Sequence, residues 1–508
     1  MDVLTGFIIK WFANSASSTQ FKARALKAVV QYRPRGERAT TVAKARVGLM
    51  ATAGLLLLTS CTPAAPYRTT LSDPPPNCHV SDGGDVSAEC GTSRHERTTD
   101  YDLLFVEFDD QGLLYPGSQQ KNLEQWPRDI DEIMDRLHQL AGGYKEQGIS
   151  LFLFVHGWKH NASSEDENVR TFRRMLQSAA LVEQASQSHH RVIGIYIAWR
   201  GLSSTVEPFL ELSFWERKAT ALYVAHGSAR GLLTRLKGFQ QGINCEMRES
   251  CIGGEPKAGT RPKVRFIMIG HSFGGLILFN AISGSLVEGL TYRQDSGDPG
   301  APAVRFGDMV VLLNPAFEAS RYTPLHRIVT NPDRPFEKYQ APVLVSITST
   351  ADWATGLAFP AGRFINTIFE KAASPEESKA IKNTMGHVPL YITHKLASSD
   401  FECGGWNKDV MTADPSLRVS QMRENLKVES ENNAKFFGTE RAPILQDHWV
   451  RNFCGGAVLT HVNYKPNSPI WNVQTDKSVI KDHGDIAGSI LTNFLRQLYK
   501  DSYEFPAE

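Results

Sequence analysis

The chain has 508 residues, with 55 Lys and Arg against 54 Asp and Glu and a formal net charge of +1. This length exceeds one minimal catalytic domain, so we expect tails or insertions around a folded core. The charge balance and the lack of a basic stripe argue against nucleic acid as a partner. No C-x-x-C pair or histidine cluster has zinc-site spacing, so the sequence implies no metal and no organic cofactor.

Residues 1–60 are predicted to be a targeting region. Basic residues precede the apolar run Val47–Leu58, which is shorter than the roughly 20 residues that span a bilayer as a helix. The segment Leu58–Cys61 (LTSC) resembles the lipobox of bacterial lipoproteins. That resemblance implies cleavage before Cys61, lipidation of its side chain and a periplasm-facing protein. The same resemblance favours sorting to the outer membrane, because the residue after Cys61 is Thr62 and not aspartate. The alternative is an uncleaved anchor or a chance occurrence of LTSC.

Sixty residues is long for such a signal, so we expect translation to start nearer Val42 or Met50. Prolines after Cys61 predict a flexible tether over residues 61–99, ahead of a folded domain over 100–508.

Removing Cys61 from the seven cysteines leaves six, an even number that suits an oxidising compartment. Their spacing favours nearest-neighbour pairs, although all 15 connectivities remain possible. The favoured pairs are Cys78 with Cys90, Cys245 with Cys251, and Cys403 with Cys454.

Strand-like and helix-like segments alternate through the first half of the domain. Together they predict an α/β fold with a mainly parallel sheet and helices on both faces. In chain order they are a strand at Tyr101–Phe108, a helix from Pro127, a strand at Leu151–Val155, a helix with a capping box at Ser164 and Glu167, a strand at Arg191–Trp199, a long helix at Pro208–Leu236 and a surface loop at Cys245–Pro262.

A G-x-S-x-G segment, Gly270–Gly274, stands between the apolar run Val264–Ile269 and the helix-like run Gly275–Ile282. Strand, G-x-S-x-G, helix is the context of a nucleophile elbow, in which glycines permit a sharp turn that presents the serine hydroxyl. The sequence therefore predicts that Ser272 is a nucleophile. The alternative is a tight turn whose serine caps the helix.

A serine nucleophile needs a base and a group that orients the base. Asp352 follows the strand-like Pro342–Thr348, at the strand end where open α/β sheets bind their ligands. Its rivals are Asp308, which precedes the strand at Met309–Leu313, and Glu318, which lies beyond it.

His483 is the predicted base. It follows the strand-like Val473–Ile480 and precedes a helical apolar stripe. The α/β-hydrolase superfamily, which the G-x-S-x-G segment and its flanks resemble, has its base in the loop between the last strand and the last helix, and the resemblance therefore implies His483. His387, His394 and His461 come before this last strand and are weaker candidates.

Asp352 and His483 are 483 − 352 = 131 positions apart, far more than a helix and a short return need. Aromatic residues follow the acid closely, so part of 353–470 is predicted to be a cap with an apolar acyl-binding wall, stapled by Cys403–Cys454. These aromatics are Trp353, Phe359, Phe364 and Phe369. Equally, they could fill a core of their own.

With His156-Gly157-Trp158 after the third strand, these motifs resemble those of the α/β-hydrolase superfamily over roughly residues 100–500. The resemblance implies a Ser272–His483–Asp352 triad. Its oxyanion hole would comprise the Trp158 and Phe273 amides, with Gly157 making room.

The resemblance also implies hydrolysis of small-molecule or lipid carboxylic esters. An acyltransferase or peptidase with the same triad is the second possibility. A non-catalytic lipoprotein that binds ligands on a hydrolase fold is the third.

Overall fold

The computed structural model describes residues 65–69, 78–115, 126–186, 188–202, 209–245, 251–252, 255–256, 262–295, 305–333, 336, 341–367, 370–438 and 448–504. The predicted signal region 1–60, the predicted lipidation site Cys61 and Phe369 lie outside these ranges.

Strands within the described ranges form one 11-stranded sheet and a separate two-stranded hairpin of β5 and β6. In chain order the strands are β1 (His95–Arg97), β2 (Tyr101–Phe108), β3 (Ile149–Val155), β4 (Arg191–Trp199), β5 (Cys251–Ile252), β6 (Glu255–Pro256), β7 (Val264–His271), β8 (Met309–Leu313), β9 (Leu344–Ser349), β10 (His394–Ser398), β11 (Val450–Phe453), β12 (Ala457–His461) and β13 (Ile470–Thr475). The order across the large sheet is β1-β2-β4-β3-β7-β8-β9-β13-β10-β12-β11. From β2 to β10 in this order all neighbours are parallel, so the predicted mainly parallel α/β sheet is confirmed.

Helices flank both faces of this sheet. In chain order they are α1 (Trp126–Gly143), α2 (Glu167–Ala185), α3 (Phe209–His226), α4 (Ser228–Asn244), α5 (Phe273–Asp295), α6 (Thr323–Thr330), α7 (Phe359–Asn366), α8 (Pro375–Lys382), α9 (Pro415–Phe437) and α10 (Ser489–Glu504), with a π-helical turn at Ala354–Ala358.

Side chains of each central strand alternate between two apolar cores. Leu153 of β3 packs on the side of α1, α3, α4 and α5, whereas Phe154 packs on the side of α2 and α10. Each such buried side chain stabilises the fold by about 1.5–3 kcal/mol. The window Phe273–Thr291 of α5 is long and apolar enough to cross a membrane, but 72% of it is buried, as expected for the core helix of a sheet.

Several predicted boundaries are wrong. The long helix predicted over 208–236 is two helices that break at Gly227, where a Cβ atom would lie 2.5 Å from the Gly112 carbonyl oxygen. Asp166, not Ser164, caps α2 by accepting a hydrogen bond from the Asn168 amide at 2.8 Å. The last strand ends at Thr475, five residues before the predicted end, and the predicted surface loop contains the β5–β6 hairpin.

The predicted cap is wrong for residues 394–461. Strands β10, β12 and β11 continue the large sheet beyond β13, with β12 antiparallel to both of its neighbours. Alternating burial along β12 explains this placement, because one of its faces covers the core. The disulfide Cys403–Cys454 therefore staples the edge of the sheet rather than a cap. Residues 353–366, which follow Asp352, form the π-helical turn and α7, and Phe359 there packs against Trp215.

The predicted tether is wrong for Arg68 and for residues 78–99, the part of it that the structure describes as folded. Arg68 is fully buried, Cys78 and Cys90 form a disulfide, and β1 pairs antiparallel with β2. Two of the favoured cysteine pairs are thus present. Cys245 is also disulfide-bonded, while the side chain of Cys251 lies outside the described part of the chain.

Candidate active site

Ser272 occupies a sharp turn between β7 and α5. Its backbone φ is +54°, a left-handed conformation that is unusual for a non-glycine residue and costs about 1–3 kcal/mol. The turn is tight because the flanking glycines pack closely: a Cβ atom on Gly270 would lie 2.8 Å from the Gly274 carbonyl oxygen. Gly274 in turn lies against the carbonyl oxygen of Val155, leaving no space for a side chain. The local chain thus holds Ser272 at the carboxyl end of the central strand β7.

His483 connects the predicted nucleophile to the predicted acid. Its Nε2 lies 2.7 Å from Ser272 Oγ, and its Nδ1 lies 2.8 Å from Asp352 Oδ2. Two neighbours fix the loop that carries it, because His271 Nε2–H and Asn314 Nδ2–H donate to the His483 carbonyl oxygen at 2.8 and 3.2 Å. The structure therefore brings together three residues that are far apart in the sequence.

Burial and the adjacent His483 hold the pKa of His271 far below its ordinary value, so this donor is a neutral imidazole. Its role is to hold the loop of His483 by a hydrogen bond that needs no charge.

Asp352 is buried at the carboxyl end of β9. Its Oδ1 accepts from the Ala354 amide at 2.8 Å, and its Oδ2 accepts from Thr355 Oγ1–H at 2.6 Å. Burial raises the pKa of Asp352, but the hydrogen bonds from His483 and Thr355 outweigh it and bring the pKa below the ordinary value. The carboxylate is therefore ionised at neutral pH, with one oxygen directed at His483.

The two rival acids serve other partners. Asp308 accepts from the Phe266 amide at 2.6 Å and from Gln240 Nε2–H at 2.8 Å, at the amino end of β8. Glu318 pairs with Lys218 and, at 3.0 Å, with Arg321. Burial raises the pKa of Glu318, but Lys218 outweighs this and lowers it to about 2, which leaves a structural ion pair.

The loop after β3 lies against Ser272, the predicted nucleophile. A Cβ atom on Gly157 would lie 2.8 Å from Ser272 Cβ, so only glycine fits at this approach. Within the described ranges, no hydrogen bond uses the backbone amides of Trp158 and Phe273. Phe273 is the first residue of α5, where helical amides lack an intrahelical acceptor. Both amides are thus free to donate to a substrate oxygen.

His156 braces this loop. Its Nδ1–H donates to the Gly157 carbonyl at 2.8 Å, and its Nε2 accepts from the Trp199 amide at 3.1 Å. Burial lowers the pKa of His156 to about 4, so the ring is neutral at pH 7. His156 therefore has a structural role in this loop.

Aromatic side chains form an apolar wall beside the loop. Phe214 of α3 packs between Trp158 and Phe273, with ring centroids 5.1 and 4.7 Å apart. The predicted position of the wall was different, in the residues after Asp352. Of those, Phe359 is buried and contacts Trp215 at 5.8 Å, whereas Trp353 and Phe364 are exposed.

Three supporting residues were not predicted: His271, Asn314 and Thr355. Asn314 directly follows β8, so its position at a strand end is a sequence signal that could have found it, whereas Thr355 lies in the π-helical turn after Asp352 and has no such signal. Among the described residues, no three His, Cys, Asp or Glu side chains lie close enough to hold a metal ion.

No family model, no curated protein and no solved structure matches this chain.

Proposed function

We propose that this chain is a serine hydrolase of the α/β-hydrolase type that cleaves carboxylic esters. One observation carries the proposal: a continuous hydrogen-bonded chain from Ser272 through His483 to Asp352, with steps of 2.7 and 2.8 Å. The positive φ of the serine supports it, because a sharp, strained turn between a strand and a helix is what a nucleophile elbow requires.

In the proposed acylation, Ser272 Oγ attacks the ester carbonyl carbon while His483 Nε2 accepts the hydroxyl proton. The Nδ1–H of His483 donates to ionised Asp352, which orients the ring and stabilises the imidazolium that forms. As the tetrahedral intermediate collapses, His483 returns the proton to the departing alcohol. A water molecule then repeats the sequence on the acyl-enzyme and releases the acid.

The oxyanion of each tetrahedral intermediate would accept hydrogen bonds from the Trp158 and Phe273 amides. Such donors act on charge that develops in the transition state, and removal of one costs about 3–4 kcal/mol in a well-studied protease. The aromatic wall around Phe214 would accommodate the acyl chain.

The test is hydrolysis of p-nitrophenyl esters of increasing acyl length by the purified chain, with and without an added alcohol. We expect release of p-nitrophenol and the free acid. A preference for transfer to the alcohol would identify an acyltransferase, and cleavage confined to peptides would identify a peptidase. No turnover of any of these substrates would contradict the proposal.

We further propose that the protein is anchored through a lipid on Cys61, facing the periplasm of a bacterial envelope, with the outer membrane favoured. The support is the LTSC segment after a short apolar run.

Metabolic labelling with a palmitate analogue is expected to tag the wild-type protein, and Cys61→Ser is expected to abolish the tag and release the chain from membranes. Intact-mass analysis provides the counter-test, because mature protein that retains residues 1–60 would contradict the lipid anchor.

A further inference from the structure

Arg68 attaches the N-terminal segment 65–69 to the folded domain. Its Nε donates to the Ala162 carbonyl at 2.8 Å, and its guanidinium pairs with buried Glu96 at 2.8 Å. The backbone amides of Tyr67 and Arg68 both donate to the Glu107 carboxylate, at 2.9 and 2.7 Å. Because these groups are paired and buried, the chain is held firmly at this point.

This attachment lies at the same edge of the sheet as the nucleophile. Glu107 is the penultimate residue of β2, and Ala162 belongs to the loop that follows β3. That loop also carries Gly157, which approaches Ser272 closely. The chain that leads back to Cys61 therefore leaves the domain from the catalytic edge.

The connection to the proposed lipid is short. Arg68 follows Cys61 by 68 − 61 = 7 residues. At about 3.5 Å per extended residue this segment reaches at most about 25 Å. A lipid on Cys61 would consequently hold the catalytic edge within that distance of the bilayer.

An apolar face lies at the same edge, after β9. Trp353, Leu357 and Phe364 are 49%, 59% and 60% exposed. Trp353 directly precedes the π-helical turn that contains Leu357, and Phe364 lies one further α-helical stretch along, so the three exposed side chains belong to one continuous helical segment over 353–366. Clusters of large exposed apolar side chains mark interaction sites, and tryptophan favours the membrane–water interface.

The attachment of Arg68 near β2 and the apolar face after β9 lie on opposite sides of Ser272. Five steps separate β2 from β9 in the sheet, and β7, which carries Ser272, lies between them. At about 4.8 Å per step the separation is about 24 Å. If one surface both contacts the apolar face and holds the lipid on Cys61, it lies over the edge of the sheet that carries Ser272.

We propose that this surface is the lipid bilayer itself, docked on the face formed by Trp353, Leu357 and Phe364, and that the substrate is a membrane lipid ester entering from it. The inference rests on the proposed esterase activity and lipid anchor. The short connection to Cys61 favours a bilayer as the surface that contacts this face. A lipid on Cys61 would hold the catalytic edge too close to the membrane for a large protein partner to fit between them.

The test compares two double variants of the full-length lipidated protein in phosphatidylethanolamine–phosphatidylglycerol vesicles. Leu357→Ser/Phe364→Ser alters the proposed face. Leu417→Ser/Val450→Ser is the matched control, because these side chains are 50% and 52% exposed on α9 and β11. Rates are measured on a fluorogenic diacyl lipid in the vesicles and on soluble p-nitrophenyl acetate.

The face variant is expected to lose at least tenfold in rate on the vesicle lipid while keeping its rate on the soluble ester. The control variant is expected to keep both rates. Equal rates on the vesicle lipid for the face variant and wild type would overturn the docking face, as would an equal loss in both variants. Hydrolysis of neither substrate by wild type would instead overturn the proposed function.

A readout without catalysis tests the face separately. Vesicles that contain brominated lipid quench tryptophan fluorescence only at bilayer depth. Quenching that largely disappears in Trp353→Phe would support the docking face. Quenching that is identical in wild type and Trp353→Phe, or absent from both, would overturn it.

Discussion

Replacing Ser272 with alanine is expected to remove nearly all ester hydrolysis, by analogy with a serine protease in which loss of the nucleophile lowers turnover by about 10⁶. The reason is that His483 would still be in place but would have no hydroxyl to deprotonate. Turnover of p-nitrophenyl esters under saturating conditions measures the effect. The thermal unfolding midpoint serves as the control for folding.

His483→Ala and the double variant Ser272→Ala/His483→Ala extend this test. Triad residues act as a unit, so their effects are not additive, and the double variant should be about as slow as either single one. A folded Ser272→Ala protein that keeps turnover within about a hundredfold of wild type would contradict the mechanism.

Asp352→Asn is expected to lower turnover by about 10⁴, as the equivalent change does in a serine protease. The carboxylate accepts the Nδ1–H of His483 at 2.8 Å, which leaves Nε2 unprotonated toward Ser272. An asparagine amide that donates to Nδ1 would stabilise the opposite tautomer, and Nε2 could then no longer accept the serine proton. The turnover number and its pH profile measure the loss.

Asp308→Asn is the matched control, because Asp308 is also buried but is bonded to Phe266 and Gln240 at the other end of β8. It should keep wild-type turnover per folded molecule. Glu318→Gln should lose stability, by about 3–5 kcal/mol for a broken buried ion pair, but keep the chemistry. A larger fall in turnover for Glu318→Gln than for Asp352→Asn would identify Glu318, after β8, as the acid of the triad.

The sequence analysis proposed Ser272, Asp352 and His483 together because each follows a strand-like run, and their side chains form one hydrogen-bonded chain. Ser272 lies after the β-branched run of β7, and Asp352 and His483 follow β9 and β13. Parallel strands end at one edge, so residues distant in the chain are brought together there. Their mutual contacts also depend on the strand order β7-β8-β9-β13, which the alternation of strands and helices does not specify.

The segment after Asp352 could not be predicted in the same way. Its aromatic residues favoured a cap, yet β10 and β12 pair through a register that brings His394 opposite His461. Such long-range pairing has no local signal. The supporting contacts of Thr355 and Asn314 depend on side-chain packing, which residue spacing does not specify.

Covalent labelling by a fluorophosphonate, followed by peptide mapping, tests most directly whether Ser272 is an activated nucleophile. The reagent reacts with a serine whose proton a neighbouring base removes, and it requires no knowledge of the natural substrate. We expect one modified residue, Ser272, with labelling abolished in Ser272→Ala and strongly slowed in His483→Ala. Label on another residue of the folded protein, or none on Ser272, would contradict the triad.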